Sequence, residues 1–161
     1  MFQERISSYK AQGRSIIYID ESGFALDTPR LYGYSPKGKR CLGKINWNAK
    51  GRLNAIGALL GSALIAVSLY ACNVDSDVFL HWVESDLLVH APANSVMVMD
   101  NATFHKRNDI KVRIREAGHI LEYLPPYSPD LNPIEHKWAQ AKSIRRKTQC
   151  NIDELFSVHL L

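Results

Sequence analysis

The chain has 161 residues, of which 46% are hydrophobic and 22% are charged. These proportions are those of one folded globular domain, so they exclude disordered and fibrous proteins. The formal net charge of +4 says little by itself, but the basic residues are clustered, and clusters of one sign favour a polyanionic partner.

Residues 1–14 are polar and of mixed charge, which predicts a linker or the end of a preceding helix, with the main domain at 15–161. The β-branched run from Ser15 to Asp20 predicts a first strand that ends in a carboxylate. Glu21 follows directly, and neighbouring strand residues point to opposite faces. We therefore expect Glu21 to be structural or to face a loop.

The N-terminus has no basic region followed by an apolar one, so no secretion signal is predicted. The three cysteines, Cys41, Cys72 and Cys150, are far apart and odd in number. This pattern predicts reduced thiols and a location in the cytoplasm, in the cytosol or nucleoid of a bacterium.

The segment from Gly23 to Lys50 is rich in glycine and proline, which predicts loops. Seven basic residues and no acidic one lie between Arg30 and Arg52. Aromatic residues among them could stack on an unpaired base or pack beneath a loop, and both interpretations stay open. The candidate contacts to a DNA backbone here are Lys37, Lys39, Arg40, Lys44, Lys50 and Arg52.

The 22 residues from Leu53 to Val74 contain no charged side chain. Their length would suffice to span a bilayer. Two strands joined by a turn at Gly61-Ser62 explain the same composition, and we predict this hairpin and no membrane association.

A helix with Asp75 as its cap is predicted from residue 75 to residue 89, and a buried strand from Ser95 to Asp100 follows it. This second strand also ends in an aspartate. A short basic helix (108–117) and a fifth strand (120–124) come next.

Four prolines between Leu124 and Pro133 rule out regular structure in that stretch. Asn132 then resembles a helix cap with Pro133 in the first helical position, which makes Glu135 the third residue of a new helix. One interpretation is that Glu135 is a capping-box glutamate with no further role. Alternatively, the proline-stiffened approach holds its carboxylate at a fixed place.

Asp20, Asp100 and Glu135 together suggest a carboxylate triad. Three adjacent carboxylates repel each other by several kcal/mol unless cations lie between them. Oxygen ligands favour Mg²⁺ or Mn²⁺ over zinc. Two such ions support phosphoryl transfer.

Three blocks, Tyr18–Ser22, Met99–His105 and Pro126–Trp138, resemble the signature motifs of the DDE transposase domain of the IS630 and Tc1/mariner superfamily. The 34 residues between Asp100 and Glu135 match the spacing typical of that superfamily. The resemblance implies an α/β, ribonuclease-H-like fold with a mixed five-stranded sheet and helices on its faces. It also implies metal-dependent cleavage and joining of DNA strands by the triad. It places Asn101 and His105 beside the site, where they could orient a metal-bound water or a phosphate, or could only hold the turn.

The resemblance implies further partners: DNA at transposon ends and at a target, other copies of the chain in a homo-oligomer on that DNA, and a helix-turn-helix domain on a separate polypeptide. Lys142 and Arg146 share a helical face with Glu135, where a DNA backbone would run. Two alternatives remain: a ribonuclease-H-like nuclease without strand transfer, and a non-catalytic transposase remnant that only binds DNA.

Overall fold

The computed structural model describes residues 1–25, 52–126, 128–150 and 152–156. Strands and helices alternate along most of the chain. In order they are α1 (Phe2–Ala11), β1 (Ile16–Ala25), β2 (Arg52–Leu60), β3 (Ala63–Tyr70), α2 (Ser76–Trp82), α3 (Leu88–His90), β4 (Val96–Met99), α4 (Asn108–Glu116), β5 (Ile120–Tyr123), α5 (Ile134–Thr148) and α6 (Ile152–Glu154).

The five strands form one sheet in the order β3-β2-β1-β4-β5. β2 runs antiparallel to both β1 and β3, whereas β4 runs parallel to β1 and to β5. The predicted mixed five-stranded sheet is therefore confirmed. Because β1 and β4 are parallel neighbours, their carboxyl ends lie together at one edge of the sheet.

The uncharged segment forms the antiparallel hairpin β2–β3, as predicted. Gly61, at the turn between these strands, has a φ of +64°, a conformation that side chains with a Cβ disfavour. Among the described residues, no helix has both the length and the apolar character needed to cross a membrane.

Helices cover both faces of the sheet. Successive side chains of β1 point alternately to one face and to the other. Ile17 and Ile19 pack in the same buried cluster as Phe79 of α2 and Ile110 of α4. Phe24, of opposite parity, packs in the cluster that contains residues of α5. The strand pleat therefore sends Asp20 to the α5 face and Glu21 to the α2–α4 face.

The N-terminal segment contains a helix that is docked on the sheet. Phe2 and Ile6 of α1 are buried in a cluster with residues of β1 and β4. Arg5 and Tyr9 hydrogen-bond to the Glu122 carboxylate of β5, the tyrosine hydroxyl at 2.6 Å. These contacts join α1 to the edge strand β5.

The predicted helix that follows β3 is interrupted. Asp75 caps α2 as expected, its carboxylate accepting the Val78 N–H at 2.9 Å. Residues Val83–Leu87 then form a π-helical turn before α3.

Cys150 is a buried free thiol, whereas Cys72 is disulfide-bonded. The prediction of reduced thiols is therefore wrong for Cys72, since an odd number of cysteines still allows one pair.

Candidate active site

Asp20 lies in the interior of β1, where Gly57 of β2 is its register partner. Its side chain belongs to the α5 face of the sheet, and only 6% of the residue is exposed. A carboxylate at such a position loses most of its hydration, so its charge is costly without a compensating partner.

Asp100 is the first residue after β4, at the carboxyl end of that strand. The last register pair between β1 and β4 is Tyr18 with Val98. Continuing this register two residues places Asp100 beside Asp20. The Asp100 carboxylate accepts the Ala102 N–H at 3.0 Å, which folds the chain into a tight turn after the strand.

Glu135 is the second residue of α5, because Pro133 is the N-cap and Ile134 is the first helical residue. The prediction of Asn132 as the cap is therefore wrong by one position. The Asn132 carbonyl accepts the Glu135 N–H at 3.1 Å in a turn that precedes the helix. Pro133 has no side-chain acceptor, so no capping box forms at the start of α5. The Glu135 side chain is exposed there.

The Asp20 carboxyl interacts with Glu135 and with Asp100. Burial, the hydrogen bond to Glu135 and the charge of Glu21 together raise the pKa of Asp20 to about 9. The raised pKa means that the Asp20 carboxyl resists ionisation next to the other acids. The structure thus brings the three predicted carboxylates together around Asp20.

His105 links Asp100 to a fourth carboxylate. Its Nδ1 lies 2.8 Å from Oδ1 of Asp100, and its Nε2 lies 2.8 Å from Oε2 of Glu21. Burial opposes a charge on the imidazole, but the bonds to Asp100 and Glu21 outweigh it and raise the pKa of His105 to about 10. Burial also tends to raise the pKa of Asp100, yet its bonds to His105 and to the Ala102 N–H lower it overall.

The sequence did not predict the bond between Glu21 and His105. The expectation that Glu21 faces a loop holds, because its partner His105 lies in the 3₁₀ turn Thr103–Lys106. The usable signal was the pair of adjacent acids within one strand, since the pleat must send one of them to the opposite face.

Asn101, predicted to lie beside the site, ties two strand ends together. Its side-chain amide donates to the Leu124 carbonyl at 2.5 Å, and the Leu124 N–H donates to the Met99 carbonyl at 2.7 Å. These bonds fix the turn in which Asp100 lies. Asn101 therefore holds the backbone, whereas His105 contacts the carboxylate itself.

The predicted basic face of α5 is present. Lys142 and Arg146 are exposed, as Glu135 is, while Trp138 and Ala141 are buried against the sheet. Arg52 begins β2 and its guanidinium covers the backbone of Gly23. The other predicted DNA contacts lie outside the described residues: Lys37, Lys39, Arg40, Lys44 and Lys50.

The chemistry of the three carboxylates fits a hard divalent cation, because all the donors are oxygen atoms. The raised pKa of Asp20 shows the repulsion that such a cation would relieve. Within the described ranges, however, no group of three or more His, Cys, Asp or Glu side chains is arranged as a set of metal ligands.

Sequence comparison decides the family. The sequence model described as "DDE superfamily endonuclease" matches residues 15–155. The chain belongs to this family. The predicted resemblance is confirmed at the level of the DDE superfamily, and the match covers almost all of the domain. An uncharacterized protein of Sinorhizobium fredii, y4pE/y4sA, is 36% identical over 58 residues, which are 36% of this chain and 41% of that protein.

Solved structures agree on the fold of this DDE endonuclease. The Mos1 transposase catalytic domain with raltegravir and Mg superposes with a TM-score of 0.64 at 17% identity, over 98% of this chain and 74% of that one. A second structure, of the catalytic domain of Mos1 mariner transposase, gives 0.60 at 15% identity over 96% and 80%. The fold is therefore ribonuclease-H-like, as predicted.

The Mos1 paired-end complex with the left transposon end gives a TM-score of 0.60 at 17% identity, over 98% of this chain. This chain spans 55% of the Mos1 chain in that complex. The match is therefore to one part of a longer protein.

Proposed function

We propose that this DDE endonuclease is the metal-dependent catalytic domain of a DNA transposase, which cleaves and joins strands at transposon ends. The observation that carries the proposal is the contact of Asp20 with both Asp100 and Glu135 at one edge of a ribonuclease-H-like sheet. Membership of the endonuclease family supports the reaction class, and the Mos1 fold supports the transposase assignment.

Asp20, Asp100 and Glu135 would hold two Mg²⁺ or Mn²⁺ ions. When bound, such ions activate a water or a 3′-hydroxyl and stabilise the leaving oxygen of a phosphodiester. Asp20 would have to be ionised to hold such an ion, because only the carboxylate form serves as a ligand. Glu135 is exposed at the helix start and closes the site on the solvent side.

The substrate would run along α5. Lys142 and Arg146 are exposed on the helical face that carries Glu135, which suits contacts to successive phosphates. Arg52 pairs with Ala25 and covers Gly23, so it lies on the sheet face opposite α5 and belongs to a different surface. Contacts of the other predicted basic residues with DNA stay a prediction from the sequence. DNA recognition by a separate helix-turn-helix polypeptide, assembly of a homo-oligomer on DNA and a cytoplasmic location belong to the same proposal.

The first test measures nicking of a supercoiled plasmid in Mn²⁺ by the wild type and by the Asp100→Asn variant. The substitution keeps the size of the side chain and removes its charge, so we expect nicking to fall to background with the circular dichroism spectrum unchanged. Glu122→Gln is the matched control, because Glu122 binds Arg5 and Tyr9 of α1. Nicking by Asp100→Asn at the wild-type rate would refute the assignment.

The second test separates the candidate functions with oligonucleotides that end in a recessed 3′-hydroxyl and carry the terminal sequence of the element encoding this chain. Joining of these oligonucleotides to a plasmid is expected only from a transposase. Nicking without joining would instead support a nuclease without strand transfer. Absence of both activities, with no Mn²⁺ binding in calorimetry, would support a remnant that only binds DNA.

A further inference from the structure

We propose that Glu21 is a positioning residue, which acts through His105 to hold the Asp100 carboxylate in the orientation that the metal site requires. The inference rests on the proposed function, because it assigns Asp100 to that site. It adds a fourth acidic residue to the working parts of the site, and this residue need not touch metal or DNA.

The position of Glu21 follows from the strand pleat. Asp20 and Glu21 are neighbours in β1 and therefore face opposite sides of the sheet. On the far side, the Glu21 side chain is 17% exposed and its carboxylate meets Nε2 of His105 at 2.8 Å. Glu21 thus supports the site from beneath the edge of the sheet.

His105 is held in one position by its surroundings. The side chain is completely buried, and its ring centroid lies 4.5 Å from that of Phe79. The Tyr123 hydroxyl donates to the His105 backbone carbonyl at 3.0 Å. The imidazole therefore cannot turn away from Glu21 without breaking packing on several sides.

Both ring nitrogens of His105 face carboxylate oxygens at 2.8 Å. A carboxylate can only accept a hydrogen bond, so each nitrogen acts as a donor in this arrangement. The bond to Glu21 fixes the ring plane, and the ring plane sets the direction in which Nδ1–H points at Asp100.

Asp100 needs such support because it lies beyond the last paired residue of β4. Its Oδ1 atom is bound by Nδ1 of His105 at 2.8 Å and by the Ala102 N–H at 3.0 Å. Two donors on one oxygen fix the plane of the carboxylate. Oδ2 is then the oxygen best placed to act as a ligand.

The test uses Glu21→Met, which keeps the length of the side chain and removes the acceptor. We expect the Mn²⁺ concentration for half-maximal plasmid nicking to rise about 10–100-fold, the usual cost of losing such a supporting partner. Saturating Mn²⁺ should restore most of the nicking rate, and the affinity for DNA should stay unchanged. Glu21→Gln should recover most of the loss, because its side-chain carbonyl can still accept the Nε2–H bond.

Glu122→Ala is the matched control, since it removes a partly buried carboxylate that is bound by two side chains of α1. It should leave the half-saturating Mn²⁺ concentration unchanged. If the Glu21→Met variant fails to fold, as judged by thermal unfolding, Glu21→Ala replaces it with the same expectation.

A folded Glu21→Met variant with the wild-type Mn²⁺ requirement would overturn the inference, and so would an equal loss in Glu21→Gln. Asp100→Asn distinguishes this failure from failure of the proposed function. If Asp100→Asn abolishes nicking while Glu21→Met behaves as wild type, only the role of Glu21 is wrong. If Asp100→Asn still nicks DNA, the proposed function fails as well.

Discussion

Gly57 allows α5 to lie close enough to the sheet for Glu135 to reach Asp20. Gly57 is the register partner of Asp20, and a Cβ at this position would lie 2.7 Å from Cη2 of Trp138 and 3.2 Å from a methyl group of Val67. Ordinary van der Waals contact begins at 3.4 Å. In a Gly57→Ala variant, the indole would therefore have to move by about 0.7 Å.

The Trp138 ring has little room for this movement. It is 3% exposed and packs edge-on against Phe24 and Phe156, with ring centroids 6.1 and 6.3 Å apart. We expect the strain to pass to α5 and to cost about 1–3 kcal/mol of stability. For a domain of this size, each kcal/mol lowers the Tm by about 2–4 °C.

The same displacement should affect catalysis, because Glu135 lies less than one helical turn before Trp138. Functional geometry tolerates errors of only about 0.5 Å, and a misplacement of about 1 Å can cost a hundredfold in rate. We therefore expect nicking to fall by about 10–100-fold in Gly57→Ala, measured with Mn²⁺ on supercoiled plasmid, without a change in DNA affinity.

The Trp138→Phe substitution provides the control, because it removes the six-membered indole ring that contains the clashing atoms. The double variant should be more stable than the sum of the two single changes predicts, by about 0.5–3 kcal/mol. A wild-type Tm and nicking rate in Gly57→Ala, or strictly additive effects in the double variant, would refute this reasoning.

Two further predictions concern charge. Because the pKa of Asp20 in the folded protein is about 9 and its ordinary value is 3.8, its contribution to stability is complete below about pH 4 and is lost as the pH rises towards 9. Without metal, the stability of Asp20→Asn relative to the wild type should therefore increase as the pH rises from 5 to 8, as measured by thermal unfolding. A stability difference that stays constant over this range would contradict the prediction. Replacing Lys142 or Arg146 with alanine should lower the slope of log affinity for DNA against log salt concentration by about one each. Lys137→Ala should leave that slope unchanged, because Lys137 donates to the Ser62 carbonyl, and equal slopes in all three variants would exclude α5 as the DNA-binding face.

The sequence predicted the elements that carry the triad because each has a local cause. β4 is an apolar run that ends just before Asp100, and the prolines before Pro133 force a new helix to begin just before Glu135. The prediction that β1 ends at Asp20 was wrong, because pairing with β2 continues the strand to Ala25. The hairpin β2–β3 followed from its uncharged composition and a central glycine. The start of α5 was wrong by one residue, because a proline can occupy the cap itself and no local rule fixes that boundary.

The bonds that shape the site depend on distances that local sequence does not encode. Glu21 and His105 are 84 residues apart, and only the pleat of β1 and the packing of the 3₁₀ turn against α2 bring them together. The raised pKa of Asp20 likewise arises from burial and from Glu135, which lies 115 residues away on another element. The sequence by itself thus determined which residues carry carboxylates and which elements hold them, because propensity and hydrophobic pattern act over a few residues. The tertiary structure alone decided which side chains support those carboxylates, because hydrogen bonds and burial depend on atoms that the fold brings within a few ångströms.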